Sequence, residues 1–522
     1  MELGPYPFEA LAHGPPLHKR LTARARAWVS SASPLGRTAE FYRDLFVTHA
    51  SRASAPRGAG STEPNIRSRE LKGAAYYLDA DHVGVCEVPD WVWYEQPLTQ
   101  RSCALVLQVF PGRAIDPDNL AHAWVADAQG DLAYVRALEI ALSLMGHIHA
   151  LGFAAECHHP QATSVCLDTL AVNAGIALWD GERIRSPFLP GQPITIAVVT
   201  DYALQVDPPL ASAATVNPLQ HWLGINGARS GREQRRRARR PAHESFYPME
   251  QVKRVATPTT LIFADEVPRV PKRAEFFQRA RSGDLGNKAQ QEVQRFAVKH
   301  PLTQGMMPQL RCMVPHQDGE VATEANPDLD DPQRNTAAIK ALSYHLGADL
   351  TGICEIPRYA WYSHNAAGEE IEMRHRYAVV MLIDQGYDTM EGASGDDWIS
   401  GCQSMRGYIR GAQIAGVMAE FLRGQGFSSR AQTNADSEVL QIPLVLLAGL
   451  GELSRIGELV LNPFVGPRFK SVVLTTNLPS DDTTAIYLDG GTTAQANVGV
   501  NECFFSHNLG ALFIDQQGST EL

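Results

Sequence analysis

Tyr408 and Lys470 are the residues whose types and setting point most directly to chemistry. Tyr408 opens a stretch of small residues over 404–424, read as a helix closed by Gly424 and Gly426, where a left-handed cap is favoured. On that helix Tyr408, Ala412, Ala415 and Ala419 share one face by the i, i+4, i+7 rule, so something flat can approach the phenol closely. Lys470 ends the run Asn462-Pro-Phe-Val-Gly-Pro-Arg-Phe-Lys470, a loop feeding a strand in which alternation sets Lys470 beside Val472 and Leu474. An ammonium on an apolar face needs a partner. Beside a tyrosine hydroxyl it would stabilise phenolate and lower the phenol pKa, giving a better proton donor near neutral pH. The plainer readings are a core phenol with its hydroxyl satisfied at the helix start and a strand-end lysine reaching outward to water.

Other constellations carry less. Cys157, His158, His159 and Cys166, or His147 with His149, lack the paired spacing that puts metal ligands on one side of a turn. No phosphate-binding loop of the Gly-x-x-x-x-Gly-Lys-Ser/Thr kind is present, and Ala448-Gly-Leu-Gly451 follows an apolar helix instead of a strand, which is weak evidence for a dinucleotide site. The Asp-x-His-x-x-Gly pattern that supplies an axial histidine to some cobalamin enzymes is also missing.

The elements that position these residues occur twice. Leu71 to Tyr94 matches Ile339 to Tyr362, including Cys86-Glu-x-Pro89 against Cys354-Glu-x-Pro357 and Trp93-Tyr94 against Trp361-Tyr362. A second strand follows in each (104–110 and 377–384), then a long helix in which Tyr134-Val-Arg136 aligns with Tyr408-Ile-Arg410. Ser186-Pro-Phe stands where the second copy has Asn462-Pro-Phe, and Ile194 replaces the lysine. A period this long indicates a duplicated domain and not a solenoid. The order of elements predicts an α+β fold. Residues 1–225 form the degenerate copy, 226–332 a wrapping connection with one helical stretch near 274–298, 333–479 the intact copy, and 480–522 an atypical tail.

A net charge of −11 argues against a general nucleic-acid binder. The arginine cluster from Arg232 to Arg240 is a local exception, read as a solvated linker or a phosphate contact. The eight cysteines are scattered, several in apolar strand-like runs, as suits a reducing compartment. Neither a secretory signal nor an apolar run long enough to span a bilayer is found, so a cytoplasmic protein without membrane partners is expected.

The motifs Arg406-Gly-Tyr408-Ile-Arg410, Ala448-Gly-Leu-Gly-Glu-Leu-Ser-Arg-Ile-Gly457 and Asn462 to Lys470 with Leu474-Thr-Thr-Asn-Leu-Pro479 resemble those of cobalamin-dependent reductive dehalogenases, especially the soluble type acting on halogenated phenols and hydroxybenzoates. The Ala-Gly-Leu-Gly element is shared with epoxyqueuosine reductases. The resemblance implies a nitroreductase-like cobalamin-binding domain, duplicated with a degenerate first copy. It implies base-off cobalamin held by Asp436, Gly449, Leu450, Gly451, Asn462, Pro463 and Phe464. Tyr408 would be the proton donor, tuned by Lys470, which also holds the phenolate oxygen of a halogenated aromatic substrate. The family also carries a ferredoxin-like module with two iron–sulfur clusters held by four-cysteine runs. Residues 480–522 have only Cys503, so an external electron donor or ferredoxin-like partner is expected, or an interrupted reading frame. An arginine that soluble members place in that module has no counterpart. The alternatives are a non-catalytic corrinoid-binding relic or carrier and, more distantly, a flavin-binding nitroreductase relative.

Overall fold

The computed structural model describes residues 8–22, 27–51, 60–95, 101–212, 214–217, 219, 249, 263–293, 295–386, 390, 398–454 and 459–481. The arginine cluster, Cys503 and the tail beyond 481 lie outside them. The chain divides into two compact units: Met1–Gly112 with Trp124–Arg240 and Lys299–Cys312, and Arg113–Ala123 with Pro241–Val298 and Met313–Leu522. The segment 226–332 is therefore shared between the units.

Each unit is a mixed helix-and-sheet body around one four-stranded antiparallel sheet. In the first, the strand order is His82–Glu87, Cys103–Val109, Ile194–Thr200, Ala155–His158. In the second it is Leu350–Glu355, Tyr377–Asp384, Phe469–Thr476, Ser429–Gln432. In both, the chain leaves the second strand, runs through a long helix to an edge strand, and returns last to an inner position. The register also repeats. Ile194 pairs with Val109 and Lys470 with Ile383, each six residues along from the pairings Cys103 with Thr200 and Tyr377 with Thr476. Isoleucine and lysine thus occupy the same place in the two sheets.

Apolar side chains on the sheets' inner faces explain the strands. In the second unit Leu350, Val380, Leu382 and Val473 pack on Leu444, Val445 and Leu450. The close approach of helix to sheet depends on one glycine in each first strand. A Cβ at Gly84 would lie 2.2 Å from the Ala174 carbonyl oxygen, and one at Gly352 would lie 2.3 Å from that of Ala448. Immediately after those alanines Gly175 and Gly449 take positive φ (+69° and +64°), closing the short helices Leu167–Asn173 and Gln441–Leu447. Half of the Ala-Gly-Leu-Gly motif is therefore a helix stop pressed against a strand.

Two sequence expectations change in detail. The single helical stretch near 274–298 is three short helices, Phe276–Arg281, Asn287–Glu292 and Arg295–Val298. Gly283 and Gly286 break it, both with positive φ. The tyrosine helix starts earlier than expected, spanning Trp398–Gly424. Among the described residues no helix is long and apolar enough to cross a membrane.

Candidate functional site

The tyrosine helix lies across the lysine strand, Phe469–Thr476, and glycines set the separation. A Cβ at Gly407 would meet the Lys470 Cγ at 2.8 Å, and one at Gly411 would meet Val472 at 3.0 Å. This intimacy brings the lysine alongside the tyrosine: Lys470 Nζ is 5.2 Å from the centre of the Tyr408 ring, within cation–π range. Both side chains are buried. The arginines of the same motif are structural. Arg406 Nη1 donates to the Asp384 carbonyl at 3.0 Å, and Arg410 Nη2 to that of Leu346 at 2.7 Å. Arg468 pairs with the Asp384 carboxylate at 3.0 Å, tying the loop before the lysine to the neighbouring strand.

Tyr408 and Lys470 face one open-mouthed cavity within the second unit, of about 80 Å³. Apolar walls come from Ile442, Val445, Leu459, Val460 and Phe469, and polar groups from Asn434, Gln441 and Ser471. Ser471 Oγ donates to Gln441 Oε1 at 2.7 Å, and Gln441 Nε2 to the Gln432 carbonyl at 3.1 Å, so that amide is held in place. Two further lining residues, Glu275 and Phe277, lie in the stretch that reads as a connection. No periodicity marks them, because they sit at and just inside the start of a six-residue helix.

The electrostatics differ from the sequence expectation. Burial lowers Lys470 from 10.5 to about 7. Tyr408 is raised well above the usual phenol value of 10, by burial first and then by the nearby Glu275 carboxylate. The expected lowering of the tyrosine by the lysine is thus overturned. Taking a phenol out of water disfavours phenolate strongly, and a lysine that is itself losing its charge cannot compensate. Glu275 is in turn raised by its own burial, against the pull of Lys272.

The other sequence-named residues are not among the lining residues above. Asp436 is in an ion pair with Arg430 at 2.6 Å. Gly449 caps a helix, Leu450 is fully buried in the core, and Gly451 packs so closely that a Cβ would meet Val460 at 2.6 Å. Asn462 builds the turn before the lysine: Nδ2 donates to the Leu450 carbonyl at 2.6 Å, and Oδ1 accepts from the Phe464 amide at 2.8 Å and the Val465 amide at 3.1 Å. Pro463 is half-buried in that turn, and Phe464 presents its ring to the surface, 44% exposed. Ala412, Ala415 and Ala419, expected beneath a flat ligand, are packed inside the protein. Of that helix face only Tyr408 lines the cavity.

In the first unit the aligned tyrosine is bonded within the protein. The Tyr134 hydroxyl is hydrogen-bonded to His159 Nδ1 and accepts from the Gln161 amide at 3.0 Å, while the Arg43 guanidinium lies 4.9 Å from the ring centre. Ile194 is buried in the lysine's register position. Among the described residues no group of three or more His, Cys, Asp or Glu side chains converges as a metal site, the cysteine–histidine cluster included.

Apolar walls, a buried phenol, a lysine near its titration point and amide partners at the rim suit a flat organic group whose edge carries hydrogen-bonding substituents. No protein-family model matches the chain, and no curated protein does. Solved structures do. The chain is similar to an N-terminally tagged catabolic reductive dehalogenase, NpRdhA, at 44% identity and TM-score 0.86 over 93% of this chain and 71% of that one. A reductive dehalogenase structure reported with a mechanism for B12-dependent dehalogenation matches at 43% identity and TM-score 0.87, covering 94% and 71%. The tagged enzyme in complex with 3-bromo-4-hydroxybenzoic acid matches at 43% and 0.85 over the same shares. This chain belongs to the reductive dehalogenases, and is an oxidoreductase of that family.

Proposed function

We propose that the protein replaces an aryl carbon–halogen bond by carbon–hydrogen on halogenated phenols or hydroxybenzoates, with cobalamin as cofactor. The observation that carries this reading is the convergence of the buried side chains of Tyr408 and Lys470 on one cavity with apolar walls. The overall step consumes two electrons and one proton and releases halide. Bound cobalamin supplies the reducible cobalt that such a cleavage needs. The turns at Asp436, Gly449 to Gly451 and Asn462 to Phe464, two to four residues beyond the lining residues Asn434, Val445 and Val460, are the surfaces we assign to it, and the exposed Phe464 ring is the kind of apolar side chain a bound cofactor would cover.

Lys470 receives the phenolate oxygen. Alone, its charge is disfavoured by burial; opposite a phenolate the two charges are buried together, so substrate binding draws a proton onto the lysine near neutral pH. Tyr408 remains protonated across the physiological range because burial and Glu275 both oppose its ionisation. A reluctant acid suits this task. The aryl carbon left as halide departs is a far stronger base than phenolate, so the proton stays on oxygen until the carbon demands it. The electrons would come from outside the described residues, and a ferredoxin-like iron–sulfur module or partner is the donor we propose.

The repeated topology and register support a duplicated, nitroreductase-like architecture in which 1–225 is a scaffold and 333–479 the catalytic copy. The seven free cysteines among the described residues suit a cytoplasmic setting. Protein loaded with cobalamin should show a base-off absorption spectrum and, after chemical reduction, release halide from an ortho-halogenated phenol. Tyr408→Phe should cut that release at least about 100-fold. Equal turnover in the variant would remove Tyr408 from the mechanism.

A further inference from the structure

The cavity that holds Lys470 also holds a carboxylate, whose part in the reaction above is limited to keeping Tyr408 protonated. Glu275 lines the wall together with Tyr408, on a segment remote in sequence from both. Its side chain is only 12% exposed. A buried carboxylate ordinarily has a close cationic partner. Here Lys272 forms that ion pair, but at long range and shared with other contacts. Lys272 Nζ donates to the Ser437 carbonyl at 2.7 Å and lies 5.1 Å from the centre of the Tyr362 ring, reaching Glu275 Oε2 only at 3.8 Å, beyond hydrogen-bonding distance. Asp436 and Arg281 act on Glu275 with opposite sign. Its charge is felt inside the cavity, where it opposes ionisation of Tyr408.

We propose that Glu275 is a specificity-determining residue of this cavity, selecting halogenated phenols that present a neutral hydrogen-bond donor to its carboxylate and disfavouring those that present a second anion. The inference rests on the proposed function and narrows its substrate class. Lys470 at one position and Glu275 at another give the cavity one cationic and one anionic contact. A ligand with one anionic oxygen and one donor, such as a hydroxymethyl, carboxamide or second hydroxyl group, satisfies both. A hydroxybenzoate meets Lys470 with one anion and adds a second negative charge to a cavity that already holds the Glu275 carboxylate, which is unfavourable. A donor that satisfies a buried acceptor is discriminated from a group that cannot, and this is the stronger mode of polar selection.

Equilibrium binding to the cobalamin-loaded, oxidised protein tests this without turnover. 3-Bromo-4-hydroxybenzamide should bind at least about ten-fold more tightly than 3-bromo-4-hydroxybenzoate, a difference of about 1.4 kcal/mol. Glu275→Gln, which keeps the size and adds a donor, should bring the two within about two-fold of each other. 2,6-Dibromophenol, with no polar group opposite its hydroxyl, should bind both proteins alike. A wild-type ratio near one, or a ratio that Glu275→Gln leaves unchanged, overturns the role of Glu275 while leaving the dehalogenase reading intact. Failure of all three ligands to bind overturns both. The wild-type ratio stands on its own should the variant fold poorly.

Discussion

Replacing Lys470 by methionine should make the protein more stable and inactive, and the size of the gain can be worked out. A lysine lowered from 10.5 to about 7 by burial belongs to a folded state that disfavours the ammonium by about 5 kcal/mol. That figure is an upper bound, because structural relaxation and water entry reduce the real cost, so about 2–4 kcal/mol is expected to be recovered at pH 7. Methionine matches the length of the lysine stem and fits beside Val472 and the glycine face of the tyrosine helix. The sign of the pH dependence follows from proton binding. Between about 7 and 10.5 the unfolded chain holds the lysine proton and the folded chain does not, so wild-type stability rises with pH across that window relative to the variant. The advantage of Lys470→Met should be full below pH 7 and vanish towards pH 10.5. Denaturant midpoints of both proteins from pH 6 to 10 would measure it, all other titrations cancelling in the difference. A variant less stable than wild type, or a gain that does not change with pH, would refute the account of Lys470 as a buried and electrostatically costly cation.

Two substitutions test the geometry that brings the groups together. Gly407→Ala would place a methyl 2.8 Å from the Lys470 Cγ and 3.0 Å from its Cβ. It should cost about 1–3 kcal/mol in stability and lower kcat by displacing the lysine; unaltered kinetics with unaltered stability would mean that the helix and strand separate freely. Tyr134→Phe in the first unit should leave halide release unchanged and destabilise by about 1–2 kcal/mol, since it leaves His159 Nδ1 and the Gln161 amide without the hydroxyl. Loss of activity at full stability would contradict the scaffold role of that unit.

What could be read from the sequence was whatever local pattern carries. The tyrosine helix and the lysine strand are long and periodic, and the spacing from Asn462 to Lys470 places the lysine on a strand, so their existence follows from residue type alone. Their contact follows because the two elements pack as neighbours, but the glycines that permit it, Gly407 and Gly411, read only as small residues until the facing side chains are known. Glu275 and Phe277 were invisible: short helices broken by Gly283 and Gly286 have no period to reveal which side chain turns inward. The alanine face was misjudged for the opposite reason. Its periodicity is genuine, but a helix buried nearly all round hides which side meets protein and which meets a cavity. The tyrosine pKa could not be read at all, because its direction depends on how burial compares with a neighbouring charge, and burial is a property of the assembled fold.

The two units together separate what the fold requires from what the site requires. Both place a tyrosine on the long helix, and both end the Gln441–Leu447 type of short helix with an alanine and a left-handed glycine against the first strand. The alanine and glycine at those helix ends serve packing. At the register position where the units differ, isoleucine is buried in one sheet without electrostatic cost and lysine in the other against a penalty of several kcal/mol by the reckoning above. The sheet that accepts isoleucine there shows that folding alone does not call for the cation. In the unit with isoleucine the tyrosine hydroxyl is tied to a histidine and a backbone amide; in the unit with lysine the tyrosine borders a cavity. A costly charge and an adjacent empty space occur in the same unit and at the same residues, and a ligand bearing an anionic oxygen is what would make both favourable.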